Sequence, residues 1–311
     1  MKRTMCVIFI CVLLCLCTGC EKMSRETVYA MNTVMDLQIW GSDAEEGMAQ
    51  VRTLLKELEQ TWSAKLEDSK LSELNRGEDP ALTQAESALL ADIQALSKRT
   101  GGAFDPKLLE VSTLWGFGTE NNRIPGEEEL AAALTEQKWD LGAALKGYAG
   151  QQAVEILAEM DVDRALLNLG GNIQTYGDKA DGTPWRIGIQ NPDGGDYLGV
   201  VAITGTASVV TSGDYQRYFE ADGVRYHHIL NPETGRPADS GLRSVTVICR
   251  DGLTADALST ALFVMGLEKG GEFWCLSRDF EAVFVTADGN IYATENANLS
   301  GCEFEVIPRE N

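Results

Sequence analysis

Basic residues are scarce in this sequence. Its 311 residues include 26 Lys and Arg against 47 Asp and Glu, which gives a formal net charge of −21 at pH 7. Such a surface repels a phosphate backbone, so nucleic acid is not expected as a partner. Any phosphate-bearing ligand would have to be held locally, by a divalent cation, backbone N–H groups or a helix N-terminus. The hydrophobic content of 44% argues against intrinsic disorder.

Apolar runs of membrane-spanning length are also lacking. The run CVIFICVLLCLC at residues 6–17 has twelve residues, too few to span a bilayer comfortably. It follows Lys2 and Arg3 and leads to Thr18-Gly19-Cys20, an order typical of a bacterial lipoprotein signal peptide.

These features predict an exported protein. We expect a signal peptide at residues 1–19, lipidation of Cys20, and a polar tether at residues 20–26. The protein would then be lipid-anchored to the extracytoplasmic face of the cell membrane. An ordinary cleaved signal peptide and an uncleaved anchor remain as alternatives, and both also place the protein outside the cytoplasm.

Cysteine is rare after the signal region. Five of the eight cysteines lie at or before Cys20, which leaves Cys249, Cys275 and Cys302. Because their number is odd and no CxxC spacing occurs, neither a disulfide framework nor a zinc site is expected. We interpret these three as small, mostly buried hydrophobic residues.

Apolar periodicity predicts an α+β fold. The strand-like segments are 27–40, 165–176, 185–190, 197–204, 242–249, 283–286 and 291–294. Helical spacing occurs at 143–160, at 253–265, and after the capping-box patterns Ser42 with Glu45 and Thr83 with Glu86; residues 61–79 are predicted as a loop. With no long linker and no repeat, residues 27–311 should form a single large domain of mostly antiparallel strands with packed helices.

Neither a GxGxxG motif nor a Walker loop is present. Asp256 and Thr260, however, are four residues apart in a predicted helix, so their oxygens share one face. Mg²⁺ accepts such a carboxylate and hydroxyl together with a backbone carbonyl and phosphate oxygens. In the alternative interpretation, Thr254 is the helix N-cap and Asp256 only complements the helix dipole.

Histidine is nearly absent. His227 and His228 are the only two, shortly before the turn at Asn231-Pro232. A histidine pair is more often a packed or surface feature than a catalyst, but beside a bound metal it would be a candidate general base.

Nine short motifs stand in a fixed order along the chain. They are Ala30-Met31-Asn32-Thr33, Ser72-Glu73-Leu74-Asn75, Gly102-Ala103-Phe104-Asp105-Pro106, Leu114-Trp115-Gly116-Phe117-Gly118, Asp140 to Ala149, Asn168 to Asn172, Thr211 to Tyr215, His228 to Pro237 and Asp256-Ala257-Leu258-Ser259-Thr260. This order resembles the bacterial FAD:protein FMN transferases, the ApbE family, over nearly all of the mature chain.

The resemblance implies an ApbE-like fold and a defined reaction. Members bind FAD with Mg²⁺ and transfer its FMN half, through a phosphoester bond, to a Thr or Ser hydroxyl of an exported flavoprotein, releasing AMP. The acceptors carry a short Ser/Thr-containing flavinylation motif. The same resemblance leaves three rivals: a Mg²⁺-dependent FAD pyrophosphatase, in which water attacks instead, a non-catalytic flavin-binding lipoprotein, and the substrate-binding lipoprotein of a transporter.

Site residues are also implied by the resemblance. Asp256, Thr260 and the backbone carbonyl of Ala143 would bind Mg²⁺, and Asp256 and His228 would be catalytic, His228 as the base for the acceptor hydroxyl. The FAD site would be lined by Met31, Trp62, Ala103, Phe104, Asp105, Asp140, Lys146 and Ile229. Trp62 would stack on a flavin or adenine ring, or be a core or rim residue. Lys146 would reach a phosphate, or be a solvated helix residue.

Three motifs depart from the family's usual form. Asp140-Leu-Gly-Ala-Ala-Leu-Lys146 replaces the commoner Asp-Leu-Gly-Gly-Ile-Ala-Lys. Asn32 replaces a glycine, which suits a left-handed backbone because Asn tolerates that region. Asn231 replaces an Asp before the proline, which would matter if the charge is used but not if the residue only shapes the turn.

Overall fold

The structure is a computed structural model that describes residues 22–309. The predicted signal peptide and the lipidation site Cys20 lie outside the described residues and stay predictions. Within residues 22–309, no helix combines the length and apolar character needed to cross a membrane.

Seven α-helices occur in the described part of the chain: α1 Ala44–Trp62, α2 Lys70–Asn75, α3 Gln84–Arg99, α4 Leu109–Trp115, α5 Glu127–Thr135, α6 Leu145–Ala158 and α7 Gly252–Leu276. Helix α2 lies inside the segment predicted as a loop, because Ser69 caps it by accepting a hydrogen bond from the Ser72 N–H. Helix α7 runs past the predicted end at residue 265, with a kink at Gly266, where φ is 81°.

The strands are β1 Met23–Ala30, β2 Thr33–Gly41, β3 Val162–Asn168, β4 Asn172–Tyr176, β5 Trp185–Ile189, β6 Gly199–Ile203, β7 Ala207–Gly213, β8 Tyr218–Ala221, β9 Val224–His227, β10 Leu242–Cys249, β11 Phe280–Thr286, β12 Ile291–Thr294, β13 Leu299–Ser300 and β14 Glu305–Ile307. A nine-stranded sheet has the order β1-β2-β3-β4-β7-β10-β11-β12-β14. Its pairs are antiparallel except β12 with β14. The predicted α+β fold with mostly antiparallel strands is confirmed.

Helices cover one face of the large sheet, and the three-stranded sheet β13-β6-β5 covers the other. Neighbouring residues of β7 show the division, because side chains alternate between faces. Val209 packs with Trp185 and Val201 of the small sheet, whereas Val210 packs with Leu258 of α7. The core therefore has two layers with the large sheet between them.

The N-terminal segment differs from the tether prediction. Strand β1 begins at Met23, and residues 23–26 pair with β2 in a regular antiparallel register. Alternation of exposed and half-buried residues along β1 extends the strand into this polar stretch.

The two predicted capping boxes have different outcomes. Thr83 and Glu86 form one at the start of α3, as predicted. The pattern at Ser42 and Glu45 does not, because α1 starts one residue later, with Asp43 as N-cap and without a side-chain capping bond.

Candidate functional site

Helices α6 and α7 meet backbone to backbone. A Cβ on Gly147 would lie 2.0 Å from the carbonyl oxygen of Gly252, and a Cβ on Gly252 would lie 2.2 Å from that of Gly147. Because no real side chain tolerates such distances, both positions require glycine. The contact brings the Gly147 N–H of α6 within 2.9 Å of Oδ2 of Asp256 on α7.

This hydrogen bond caps the start of α6. Gly147 is the third residue of the helix, and its N–H is one of the first four that have no acceptor within a helix. The carboxylate of Asp256 supplies that acceptor from α7. The predicted metal ligand Ala143 lies directly before the N-cap Ala144, so the capped turn is also the one that holds Ala143.

Asp256 and Thr260 both lie on α7, as predicted, and share one face by their spacing. Asp256 is 3% exposed. Ser212, at the end of β7, places its Oγ 2.8 Å from Ser259 Oγ and 3.3 Å from Thr260 Oγ1. The alternative based on Thr254 is wrong, because Asp251 is the N-cap and accepts from the Thr254 N–H, so Asp256 lies beyond the first turn.

Lys146 connects Asp256 to the loop before α6. Its Nζ lies 4.0 Å from Asp256 Oδ2 and donates to the Gly142 carbonyl at 3.3 Å. With its side chain 21% exposed, it is not the solvated helix residue of the alternative interpretation. The Gly142 N–H in turn donates to Asp140 Oδ1 at 2.9 Å.

Two predicted FAD-binding loops are also joined. The Asp140 N–H donates to the Pro106 carbonyl at 2.8 Å, and Ser112 Oγ donates to Asp140 Oδ2 at 3.1 Å. This links Asp140 to the turn holding Ala103, Phe104 and Asp105. Phe104 is buried beneath that turn, and Asp105 accepts from the Lys107 N–H.

The turn between β1 and β2 holds the predicted site residue Met31 and its neighbour Asn32. Met31 and Asn32 have φ of 50° and 59°, so both are left-handed, which confirms the expectation for Asn32. The Met31 N–H donates to Glu59 Oε1, and Arg217 donates through Nη2 to the Asn32 carbonyl at 3.4 Å. The Arg217 carbonyl accepts from the N–H of His228, which joins this turn to the histidine pair.

The structure separates the two histidines. His227 is buried, its Nδ1 accepts from the Ile229 N–H, and its Nε2 lies 3.2 Å from the Ala238 carbonyl oxygen, so both ring nitrogens are engaged. In contrast, Nδ1 of His228 is buried without a hydrogen-bond partner among the described residues. His227 is structural, and His228 has a nitrogen free for chemistry.

His228 is held in its neutral form. Burial, followed by the positive charges of Arg217, His227 and Lys146, lowers its pKa to about 3. Near neutral pH the imidazole is therefore uncharged, and its free nitrogen is available to accept a hydrogen bond. The cations around it stand out in a protein of net charge −21 and suit an anionic ligand.

We expect this histidine to make stability depend on pH. Its pKa in the folded protein, about 3, lies below the ordinary 6.5, so on acidification the unfolded chain binds a proton that the folded protein does not. The free energy of unfolding should therefore fall as the pH decreases from 6.5 towards 3, and less steeply in His228→Asn. Urea denaturation of both proteins at several pH values measures this, with Glu268→Gln as control; equal slopes would contradict it.

Three predicted FAD-site residues are buried in the core. Phe104 is 1% exposed and packs in the same cluster as Trp62. Trp62 is 2% exposed in the core beneath α1, which favours the core interpretation over stacking on a ring. Ile229 is 4% exposed and packs in the core under α7. Ile229 directly follows His228 in the chain, and sequence order alone does not distinguish such a neighbour from a residue that lines the site.

Some site residues were not predicted: Gly147, Ser212, Arg217 and Ser259. Gly147, Ser212 and Ser259 lie within three of the nine ordered motifs, but their roles depend on contacts between distant segments. Arg217 lies two residues after the motif that ends at Tyr215 and has no local signal.

The donor set fits magnesium. Among residues 22–309, no three His, Cys, Asp or Glu side chains form a metal-holding group. The available donors are the oxygens of one carboxylate, one hydroxyl and one backbone carbonyl. A hard cation that keeps several waters and binds phosphate oxygens suits such a set, whereas zinc does not.

Comparisons with known proteins agree on one family. The profile of the ApbE family matches residues 31–284. A FAD:protein FMN transferase of Treponema pallidum is 34% identical over 294 residues, covering 81% of this chain and 80% of that protein. The crystal structure of an ApbE protein from Thermotoga maritima has a TM-score of 0.81 at 31% identity, covering 88% of this chain and 97% of the other. Flavin transferase ApbE from Vibrio cholerae has a TM-score of 0.79 at 28% identity, covering 89% and 98%.

Proposed function

The chain belongs to the ApbE family, and from this premise we propose that it is a FAD:protein FMN transferase. It would transfer the FMN half of FAD to a Thr or Ser hydroxyl of an acceptor protein and release AMP. One observation supports this most directly: the free Nδ1 of His228 belongs to the cluster that connects Lys146, Asp256 and the Met31-Asn32 turn.

We propose that the reaction depends on magnesium. Asp256 and Thr260 would hold the ion through side-chain oxygens, and Ala143, which lies directly before the N-cap of α6, through its carbonyl. When bound, the ion neutralises charge on the pyrophosphate. Lys146, 4.0 Å from Asp256 Oδ2, is placed to share that task.

The transfer is written as a displacement at phosphorus. The acceptor oxygen forms a bond to the FMN-side phosphorus, the bond from that phosphorus to the bridging oxygen breaks, and AMP leaves with the bridging oxygen. His228 would accept the hydrogen bond of the acceptor hydroxyl on its neutral ring and take its proton, since the negative charge of the bound substrate offsets the cations that lower the histidine pKa. Lys146 and Arg217 lie near enough to His228 to lower its pKa, and their charges favour the anionic substrate at the same place.

Location is proposed from the sequence. A lipid on Cys20 would hold the protein at the extracytoplasmic face of the membrane, where exported acceptor flavoproteins are found. Only a short segment would separate the lipid on Cys20 from the folded domain, because β1 begins at Met23. Metabolic labelling with a radioactive fatty acid, compared between the natural chain and Cys20→Ala, tests the anchor.

The transfer assay uses the full chain in detergent with FAD, Mg²⁺ and an exported acceptor domain that carries FMN on threonine. We expect the acceptor to gain the mass of an FMN phosphoester, AMP to appear in equal amount, and both to require Mg²⁺. Free FMN and AMP with an unchanged acceptor would instead identify an FAD pyrophosphatase. If FAD is bound but remains intact, the protein is a non-catalytic flavin-binding protein.

A further inference from the structure

Strand β1 is the open edge of the nine-stranded sheet. It is the first strand in the sheet order, and within residues 22–309 it pairs only with β2. A free edge presents backbone N–H and C=O groups to which another extended segment can bond. The edge ends at Ala30, directly before the Met31-Asn32 turn of the candidate site.

The register shows which backbone groups are free. The Gly41 N–H donates to the Lys22 carbonyl, and the pairing continues without a shift to Ala30 opposite Thr33. Because hydrogen-bonded and non-hydrogen-bonded pairs alternate in an antiparallel ladder, the even-numbered residues bond to β2. The N–H and C=O groups of Thr27 and Tyr29 therefore point out of the sheet.

The half of the edge nearest the site lacks the usual protection against pairing. Arg25 and Glu26 place charges on the first half, and Glu26 is paired with Arg52 of α1. From Thr27 to Ala30 there is no charge, no proline and no bulge. Natural edges of this kind are normally blunted unless a partner uses them.

An exposed apolar pair lies beside this half. Tyr29 is 70% exposed and Val34 58% exposed, and the two are opposite each other in the register. Tyr29 also donates through its hydroxyl to Asn32 Oδ1 at 2.9 Å, so the pair is fixed to the site turn. It offers a place for apolar side chains of a segment lying along β1.

We propose that the edge from Thr27 to Ala30, with Tyr29 and Val34, binds the acceptor protein by adding its target segment as an extended strand next to β1. This rests on the proposed function, which requires a protein hydroxyl to be brought to the site. The uncharged edge spans about 13 Å, enough for a segment of about four residues. Pairing through the backbone selects an extended segment, and alternate side chains give specificity.

The test uses Thr27→Pro in the full chain. Proline removes an N–H that β2 does not use and is tolerated at such edge positions. We expect the KM for the acceptor domain to rise about tenfold or more, because a backbone hydrogen bond and close approach are lost. FAD binding in the presence of Mg²⁺, measured by equilibrium dialysis, should be unchanged.

Two matched controls accompany it. Thr27→Pro also removes the hydrogen bond from the Thr27 hydroxyl to Asp36, and Thr27→Ala removes that bond while keeping the backbone N–H. Met23→Pro places proline at a position whose backbone also points out of the sheet, but at the end of β1 far from the site. Both should keep the natural KM. Val34→Lys, which leaves the backbone intact, should raise the KM for the acceptor and keep FAD binding.

The outcomes are distinguishable. Suppose that the natural chain transfers FMN, and that the KM for the acceptor is unchanged in both Thr27→Pro and Val34→Lys. The proposal that the acceptor binds along β1 is then wrong, and the proposed transferase function is unaffected. If sedimentation shows a dimer that Thr27→Pro dissociates, the edge belongs to a second copy of the chain and the proposal is overturned. If the natural chain transfers no FMN to any acceptor, the proposed function itself fails.

Discussion

We expect Asp256→Asn to lower kcat/KM for FMN transfer by about a thousandfold. The amide keeps the shape of the side chain and an oxygen that accepts from the Gly147 N–H, so the contact between α6 and α7 survives. What is lost is the negative charge that would hold the proposed Mg²⁺ and that lies 4.0 Å from the Lys146 ammonium. Charge stabilisation of about 4 kcal/mol corresponds to this factor.

The measurement is the initial rate of acceptor flavinylation as a function of Mg²⁺ concentration. Part of the loss should be recovered at high Mg²⁺, because a weakened site still fills by mass action. Glu268→Gln is the matched control, since it removes an exposed carboxylate from the same helix. A loss below tenfold in Asp256→Asn would contradict the metal-binding role.

Gly147→Ala should lower the free energy of unfolding by about 3 kcal/mol and abolish detectable transfer. The new Cβ would lie 2.0 Å from the Gly252 carbonyl oxygen and 2.7 Å from Asp256 Cβ. Because the first of these atoms is backbone on a helix, no side-chain rotation relieves the clash. The helices must separate, and the Gly147–Asp256 hydrogen bond is lost with them.

Chemical denaturation of the natural chain and the variant measures the effect. Gly271→Ala is the control within α7, because its Cβ would meet nothing closer than Ile307 Cγ2 at 3.7 Å. There we expect no loss, or a gain of up to about 1 kcal/mol from helix propensity. If Gly147→Ala and the natural chain have equal free energies of unfolding, the prediction is contradicted, because α6 and α7 would then accommodate the added methyl group.

Local patterns predicted much of the fold because they depend on near neighbours in the chain. The alternation in residues 27–40 and the capping box at Thr83 and Glu86 were confirmed as a hairpin and a helix start. The box at Ser42 and Glu45 failed, because the same residue types also occur in a turn that delays the helix by one residue.

The sequence predicted which segments contribute to the candidate site, but not every residue that lines it. The spacing of Asp256 and Thr260 needs only a helix to put two oxygens on one face, and the ordered motifs identified the family. Trp62 and Ile229 show the limit of this reasoning, because a residue beside a site and a residue in the core can have the same neighbours in sequence.

By itself, the sequence determined the α+β class and the family, and it placed Asp256 and Thr260 on one face of a helix. Only the tertiary structure decided that Asp256 of α7 caps the Gly147 N–H at the start of α6, and that His228 rather than His227 keeps a free nitrogen. It also decided that Arg217 joins the Met31-Asn32 turn to the histidine pair. Each of these depends on the packing of segments far apart in the chain, and local residue patterns carry no information about such contacts.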